Sequence, residues 1–106
     1  MQDRKAVIMP KTQEMLSILG EQIKLARLRR HISVNIAAER AGVSRVTVWR
    51  VEKGDPGVAI GIYANVLHAL NGLDKDLLLV ARDDALGRDI QDIDLLRSGK
   101  IRKQRY

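Results

Sequence analysis

The chain has 106 residues, enough for one compact domain and too few for two. Aromatic residues make up 3%, with no Phe, so the core must be aliphatic, and the absence of Cys excludes disulfides, thiolate chemistry and zinc fingers. A net charge of +6 suits an anionic partner, while the longest unbroken apolar run, residues 77–81, is far too short to span a membrane. The charge is uneven. Residues 1–53 carry eleven Lys/Arg against five Asp/Glu, residues 74–94 seven Asp against three Lys/Arg, and residues 97–106 five Lys/Arg and no acid. A basic front, an acidic middle and a basic tail point to separate surfaces with separate partners. No basic stretch followed by a long apolar core marks a signal peptide, and a reducing cytoplasm, close to the nucleoid, is the expected compartment.

In chain order, residues 1–11 read as an arm ending near Pro10. Thr12 is an N-cap candidate, with Glu14 placed to complement the positive helix start. Leu16, Leu19, Ile23 and Ala26 recur at three- and four-residue spacing, which predicts a helix to about Arg30. Ser33 caps a second helix over 34–41, ended by Gly42, and Ser44 caps a third over 45–53, ended by Gly54. Asp55-Pro56-Gly57 makes a loop. A fourth helix follows over 58–70, with Ile62, Val66, Ala69 and Leu70 as core candidates, and Asn71-Gly72 closes it. Residues 76–82 fit either a buried strand or a helix start, because periodicity cannot decide so short a run. Leu86, Ile90 and Ile93 have helical spacing in a polar stretch. Residues 97–106 are expected to be a basic, disordered tail. The domain reading is an arm (1–11), a DNA-binding domain (12–73), a dimerisation or partner-binding extension (74–96) and that tail.

Two short helices joined by a tight turn at Gly42 are the physical content of a helix-turn-helix. On a wheel of about 100° per residue, Arg45, Val46, Trp49, Arg50 and Lys53 fall within an arc of about 140°. Ser44, Thr47, Val48 and Val51 lie opposite. Three cations and an indole therefore share one face of a helix of a width that fits the major groove, where Arg is the commonest reader of guanine. The plainer alternative is a solvated basic face.

Leu19-Gly20-Glu21-Gln22-Ile23, Arg27, Ser33, residues 37–44 (Ala-Ala-Glu-Arg-Ala-Gly-Val-Ser), Thr47-Val48 and Val51-Glu52-Lys53-Gly54 together resemble the XRE, or lambda-repressor-like, family. The resemblance covers residues 19–72. It implies an all-α bundle of about five helices and a two-fold homodimer on a pseudo-palindromic operator in double-stranded DNA. By that resemblance Ser44, Arg45, Val46 and Trp49 read bases or touch phosphate, and Ser33 and Lys53 join the DNA-binding set. Thr47 and Arg50 are backbone-contact candidates, and Arg27 and Glu52 form a structural pair tying the first helix to the recognition helix. Two departures stand out. Val34 and Ile36 replace the Gln and Glu common early in the second helix, and Trp49 replaces a small residue, with packing against a neighbouring helix or a partner protein as its alternative.

Residues 56–63, the apolar run and Leu86-Gly87-Arg88 resemble the HipB-like antitoxin branch, which implies autorepression and a HipA-like kinase toxin as partner. There, a short C-terminal strand can pair with its twin, which makes Leu77, Leu78, Leu79 and Val80 dimerisation candidates; a fifth helix over the chain's own core is the alternative. The acidic stretch Asp83, Asp84, Asp89, Asp92, Asp94 reads as a solvated face or a surface for a basic partner. His31 lies near a helix end, placed to cap it or touch phosphate, and His68 reads as a helix-surface residue; the two do not complete a zinc site, so no metal or cofactor is expected. The glycines at 54, 57 and 61 make no phosphate loop, and no nucleophile–base pair is legible, so no enzyme is expected. The rival readings are a phage-type repressor or restriction controller, and an interaction module that kept the fold without DNA binding.

Overall fold

The computed structural model describes residues 7–99. Every regular element among them is helical: α1 (Pro10–Arg29), α2 (Val34–Ala41), α3 (Arg45–Glu52), α4 (Ile60–Ala69), a 3-10 helix (Leu73–Leu79) and α5 (Ala85–Arg97). The all-α bundle with its helix-turn-helix is present. The expectations for residues 1–6 and 100–106 lie outside the described residues, and Arg97, assigned to the tail, is the last residue of α5.

α1 begins three residues before the position read from Thr12 as its cap. Met9 is its N-cap and Pro10 its first residue, with no side-chain cap. Proline fits there because its fixed φ is already helical and its missing N–H would have had no intrahelical acceptor. The two serine caps form as expected. The Ser33 hydroxyl accepts from the Ile36 N–H and the Ser44 hydroxyl from the Thr47 N–H, both at 3.1 Å. Three helix ends share one device. The Ile32, Val43 and Asp55 N–H groups reach back to the carbonyls of Arg27, Ala38 and Arg50, around His31, Gly42 and Gly54 with φ of 54°, 70° and 71°. His31 thus takes a left-handed conformation more common for glycine.

The core is aliphatic. Ile23 from α1, Val48 and Val51 from α3, Val66 from α4 and Leu70 just past it are its largest fully enclosed side chains. Ala37, Ala38 and Ala41 let α2 settle close to the other helices. α2 packs mainly on α4, and α1 on α3. The α1–α3 approach brings backbone against backbone at Gly20. A Cβ there would lie 2.6 Å from the Glu52 carbonyl oxygen and from the Gly54 nitrogen. Gly54, with φ of 71°, abuts the Leu16 carbonyl in the same way. The Gln13 amide donates to the Gly54 carbonyl at 3.0 Å and closes this end of the crossing.

Residues 76–82, read as strand or helix start, are neither a strand nor an α-helix. The 3-10 helix runs to Leu79 and turns follow. A lone strand would leave its backbone N–H and C=O groups without a neighbour, whereas 3-10 turns satisfy them within the segment. Leu77 is half-buried against the bundle, while Leu78, Leu79 and Val80 are exposed. α4 starts at Ile60, two residues later than expected, and Ile62 only flanks the core. Asp84, read with the acidic face, caps α5 by accepting from the Gly87 N–H at 3.1 Å.

A Gly20→Ala variant places a methyl group against three backbone atoms that cannot yield without parting α1 from α3. The expected outcome is a loss of about 1–3 kcal/mol or more in urea unfolding, although alanine is the better helix former. Unchanged stability would show that the crossing is looser than described.

Candidate nucleic-acid interface

α3 is eight residues long and is held by one side. Val48, Val51 and Glu52 point inward and are buried. Arg45, Val46, Trp49 and Lys53 point outward and are exposed, with Trp49 at 59%. Thr47 and Arg50 sit at the margins, half-buried. The geometry therefore divides the expected recognition set: four residues share the open face and two flank it. Ser33 stands apart at the start of α2, its hydroxyl committed to the cap. Val34, at the position in doubt, packs against the core.

The inner side of α3 is anchored electrostatically. Arg27 Nε donates to Glu52 Oε2 at 2.7 Å and Arg27 Nη2 to Glu52 Oε1 at 3.1 Å, with both side chains buried. Arg27 Nη1 also donates to the Ile32 carbonyl at 3.0 Å. This two-pronged pair satisfies both charges where water is absent, so neither residue carries an orphaned polar atom. The expected structural pair is present as an ion pair between α1 and α3.

On the outer face, Lys53 Nζ lies 5.7 Å from the centre of the Trp49 ring, one turn along the helix. Trp49 is not packed into a neighbouring helix. Near the N-terminus, the Ser44 and Thr47 hydroxyls lie 3.0 Å apart, and Ser44 already accepts the Thr47 N–H. Arg50, half-exposed, is tied at one nitrogen. Its Nε donates to Asp55 Oδ2 at 2.7 Å.

Asp55 organises the loop after α3. Its other carboxylate oxygen accepts the Gly57 N–H at 2.7 Å, and its carbonyl accepts the Tyr63 hydroxyl at 2.8 Å. Asp55 was legible as a turn residue, since an aspartate two residues before a glycine favours this bond to the backbone. Tyr63 had no such signal, because its partner is eight residues away in the chain and comes near only when α4 packs. Burial pushes the Tyr63 hydroxyl above its ordinary value of 10.0, and the Asp55 carboxylate pushes the same way, while Arg50 opposes both. His31 and His68 do not meet. His68 Nδ1 lies 3.2 Å from the Asp74 carboxylate on the opposite side of the α4 end.

The exposed cations and the indole, set on a helix preceded by the turn at Gly42 and the cap at Ser44, have the form of a groove-reading element. The helix-turn-helix domain family matches residues 18–80, more than half of the chain. The chain belongs to that family. No curated protein and no solved structure matches it significantly. The helix-turn-helix domain is a DNA-binding unit whose members are typically not enzymes, and the match takes in α2, α3, α4 and the 3-10 helix. No helix among the described residues is long and apolar enough to cross a membrane.

The raised Tyr63 value has a stability consequence. The folded chain holds this proton more tightly than the unfolded chain. The contribution is therefore complete below the ordinary tyrosine value and is lost as pH rises through the folded value. Tyr63→Phe is expected to cost about 0.5–1.5 kcal/mol at neutral pH, from the lost hydrogen bond, and to abolish that part of the alkaline decline in melting temperature. A variant with the parent's alkaline profile would assign the decline to another group.

Proposed function

We propose that this chain is a sequence-specific DNA-binding transcriptional regulator that acts as a homodimer on a pseudo-palindromic operator. The observation that carries the reading is α3 itself: buried along Val48, Val51 and Glu52, and open along Arg45, Val46, Trp49 and Lys53. Arg45 stands at the helix start, where a long guanidinium reaches base edges, and Val46 and Trp49 offer apolar surface of the kind that meets a thymine methyl. Lys53 adds a phosphate-seeking charge. Ser44 and Thr47 lie at the cap, where a sugar-phosphate backbone would pass. Arg50 acts through the loop, fastening Asp55 rather than reaching DNA.

Two recognition helices of a dimer would enter successive major grooves, about 34 Å apart or a multiple of that. The finer reading is a HipB-like antitoxin that autorepresses its promoter and binds a HipA-like kinase toxin. What supports it is the resemblance of residues 56–63 and 86–88, and its test is whether a HipA-like kinase is encoded beside the gene and co-purifies with the chain.

The deciding experiment is a titration of the promoter DNA upstream of the gene against scrambled DNA at two salt concentrations. Tight, selective binding that falls steeply with salt is expected. Arg45→Ala is expected to cost about 1–3 kcal/mol and to relax preference at one base pair. Binding indifferent to sequence in the parent would favour the interaction-module reading, and a variant that discriminates as the parent does would remove Arg45 from the readers.

A further inference from the structure

α5 is a helix without a place in the bundle. Its start is built locally, by the Asp84 cap and by Arg88, which donates to the Arg82 carbonyl at 2.7 Å. None of its residues is buried, and no bundle helix packs along it. Yet it is amphipathic. Leu86, Ile90 and Ile93 fall within an arc of about 60°, flanked on one side by Asp89 and on the other by Asp94. All three are at least half exposed.

The same chain carries an open apolar groove of about 320 Å³ between α1 and the 3-10 helix. Leu19, Ile23 and Ala26 form one wall, and Leu73, Leu77 and Val80 the other, with Leu67, Gln22 and Asp76 completing the lining. The α1 surface beside it stays apolar through the exposed Met15, Ile18 and Leu25, and exposed Lys11 and Arg29 stand at its two ends on the same arc. The chain thus owns both a groove and a helix with a matching stripe, and does not join them.

We propose that α5 of a second copy occupies this groove, and that the exchange is reciprocal. The acidic flanks of α5 meet the cationic ends of α1, and the Leu86–Ile90–Ile93 stripe enters between the leucine walls. A two-fold arrangement fills both grooves at once. Leu77 and Val80, two of the four residues expected at a dimer contact, serve as groove wall, and the other surface of that contact is α5. No residue of α3 lines the groove, so Arg45, Val46 and Trp49 stay free for DNA. The inference rests on the regulator reading for the number of copies and on the groove for their arrangement.

The lack of cysteine makes the test clean. Full-length chains carrying Gln22→Cys, on the groove rim, or Ile90→Cys, on α5, are mixed and treated with a short bismaleimide, and the adducts are sized on a denaturing gel. Both positions are exposed, so both variants are expected to fold. Mixed Gln22–Ile90 adducts in excess of either self-adduct, with a parent that sediments as a dimer, are the expected result. Predominant Ile90–Ile90 adducts would mean that α5 pairs with its twin, and a monomeric parent would mean that α5 folds onto its own chain or awaits a different protein; either overturns the proposal. Sedimentation and crosslinking are read without DNA. An exchanged dimer that ignores operator DNA would therefore sink the regulator reading alone, and an operator-binding monomer the exchange alone.

Discussion

The structure depends on how α1 crosses α3. Two features hold that crossing, and they are of opposite kinds. At one end the backbones touch, because Gly20 has no side chain and Gly54 follows the helix with a positive φ. At the other end a charged pair, Arg27 with Glu52, bridges the helices in a dry interior. Close approach alone would let one helix slide along the other. The paired guanidinium and carboxylate supply direction, since two parallel hydrogen bonds form only in one relative orientation. The third bond, to the Ile32 carbonyl, extends this to the chain between α1 and α2. Removing one partner would strand a buried charge, so the crossing is specified by the penalty for every alternative as much as by its own attraction.

An eight-residue helix has little stability of its own. α3 is nonetheless free to expose two cations, a valine and a tryptophan, because its other side is held so completely. Val48 and Val51 are enclosed, Glu52 is fixed, and the loop that follows is clamped by Arg50, Asp55 and Tyr63. The outward side chains contribute almost nothing to the core. The fold does not depend on which side chains stand there, which is the division of labour a DNA-reading helix requires.

The C-terminal part obeys a different logic. The 3-10 helix lays Leu73 and Leu77 toward the bundle, and beyond it none of the described residues is buried. α5 keeps its helix through a cap and local hydrogen bonds, while its apolar stripe faces outward. A bundle whose core closes at α4 thus continues into an element that the bundle leaves uncovered.

The sequence by itself determined the elements whose signals are local. Helices α2 and α3 were legible to the residue at their starts, because Ser33 and Ser44 cap them and Gly42 can end α2 in a left-handed turn. The open face of α3 was legible too, since a wheel needs only periodicity, and so was the Arg27–Glu52 pair, through the resemblance of the surrounding residues. Tertiary structure decided what depends on residues distant in the chain. Arg50 shares the wheel face of Arg45, yet the path of the loop brings Asp55 to it and turns it into a fastening. Tyr63 became a hydrogen-bond donor only through the packing of α4. The segment 76–82 resolved into 3-10 turns because no partner strand lies within reach of its backbone groups. The His31 conformation and the unpartnered stripe of α5 were likewise settled by where the rest of the chain is, which no local pattern of side chains encodes, whereas the start of α1 at Pro10 follows from proline's local fit at a helix's first position.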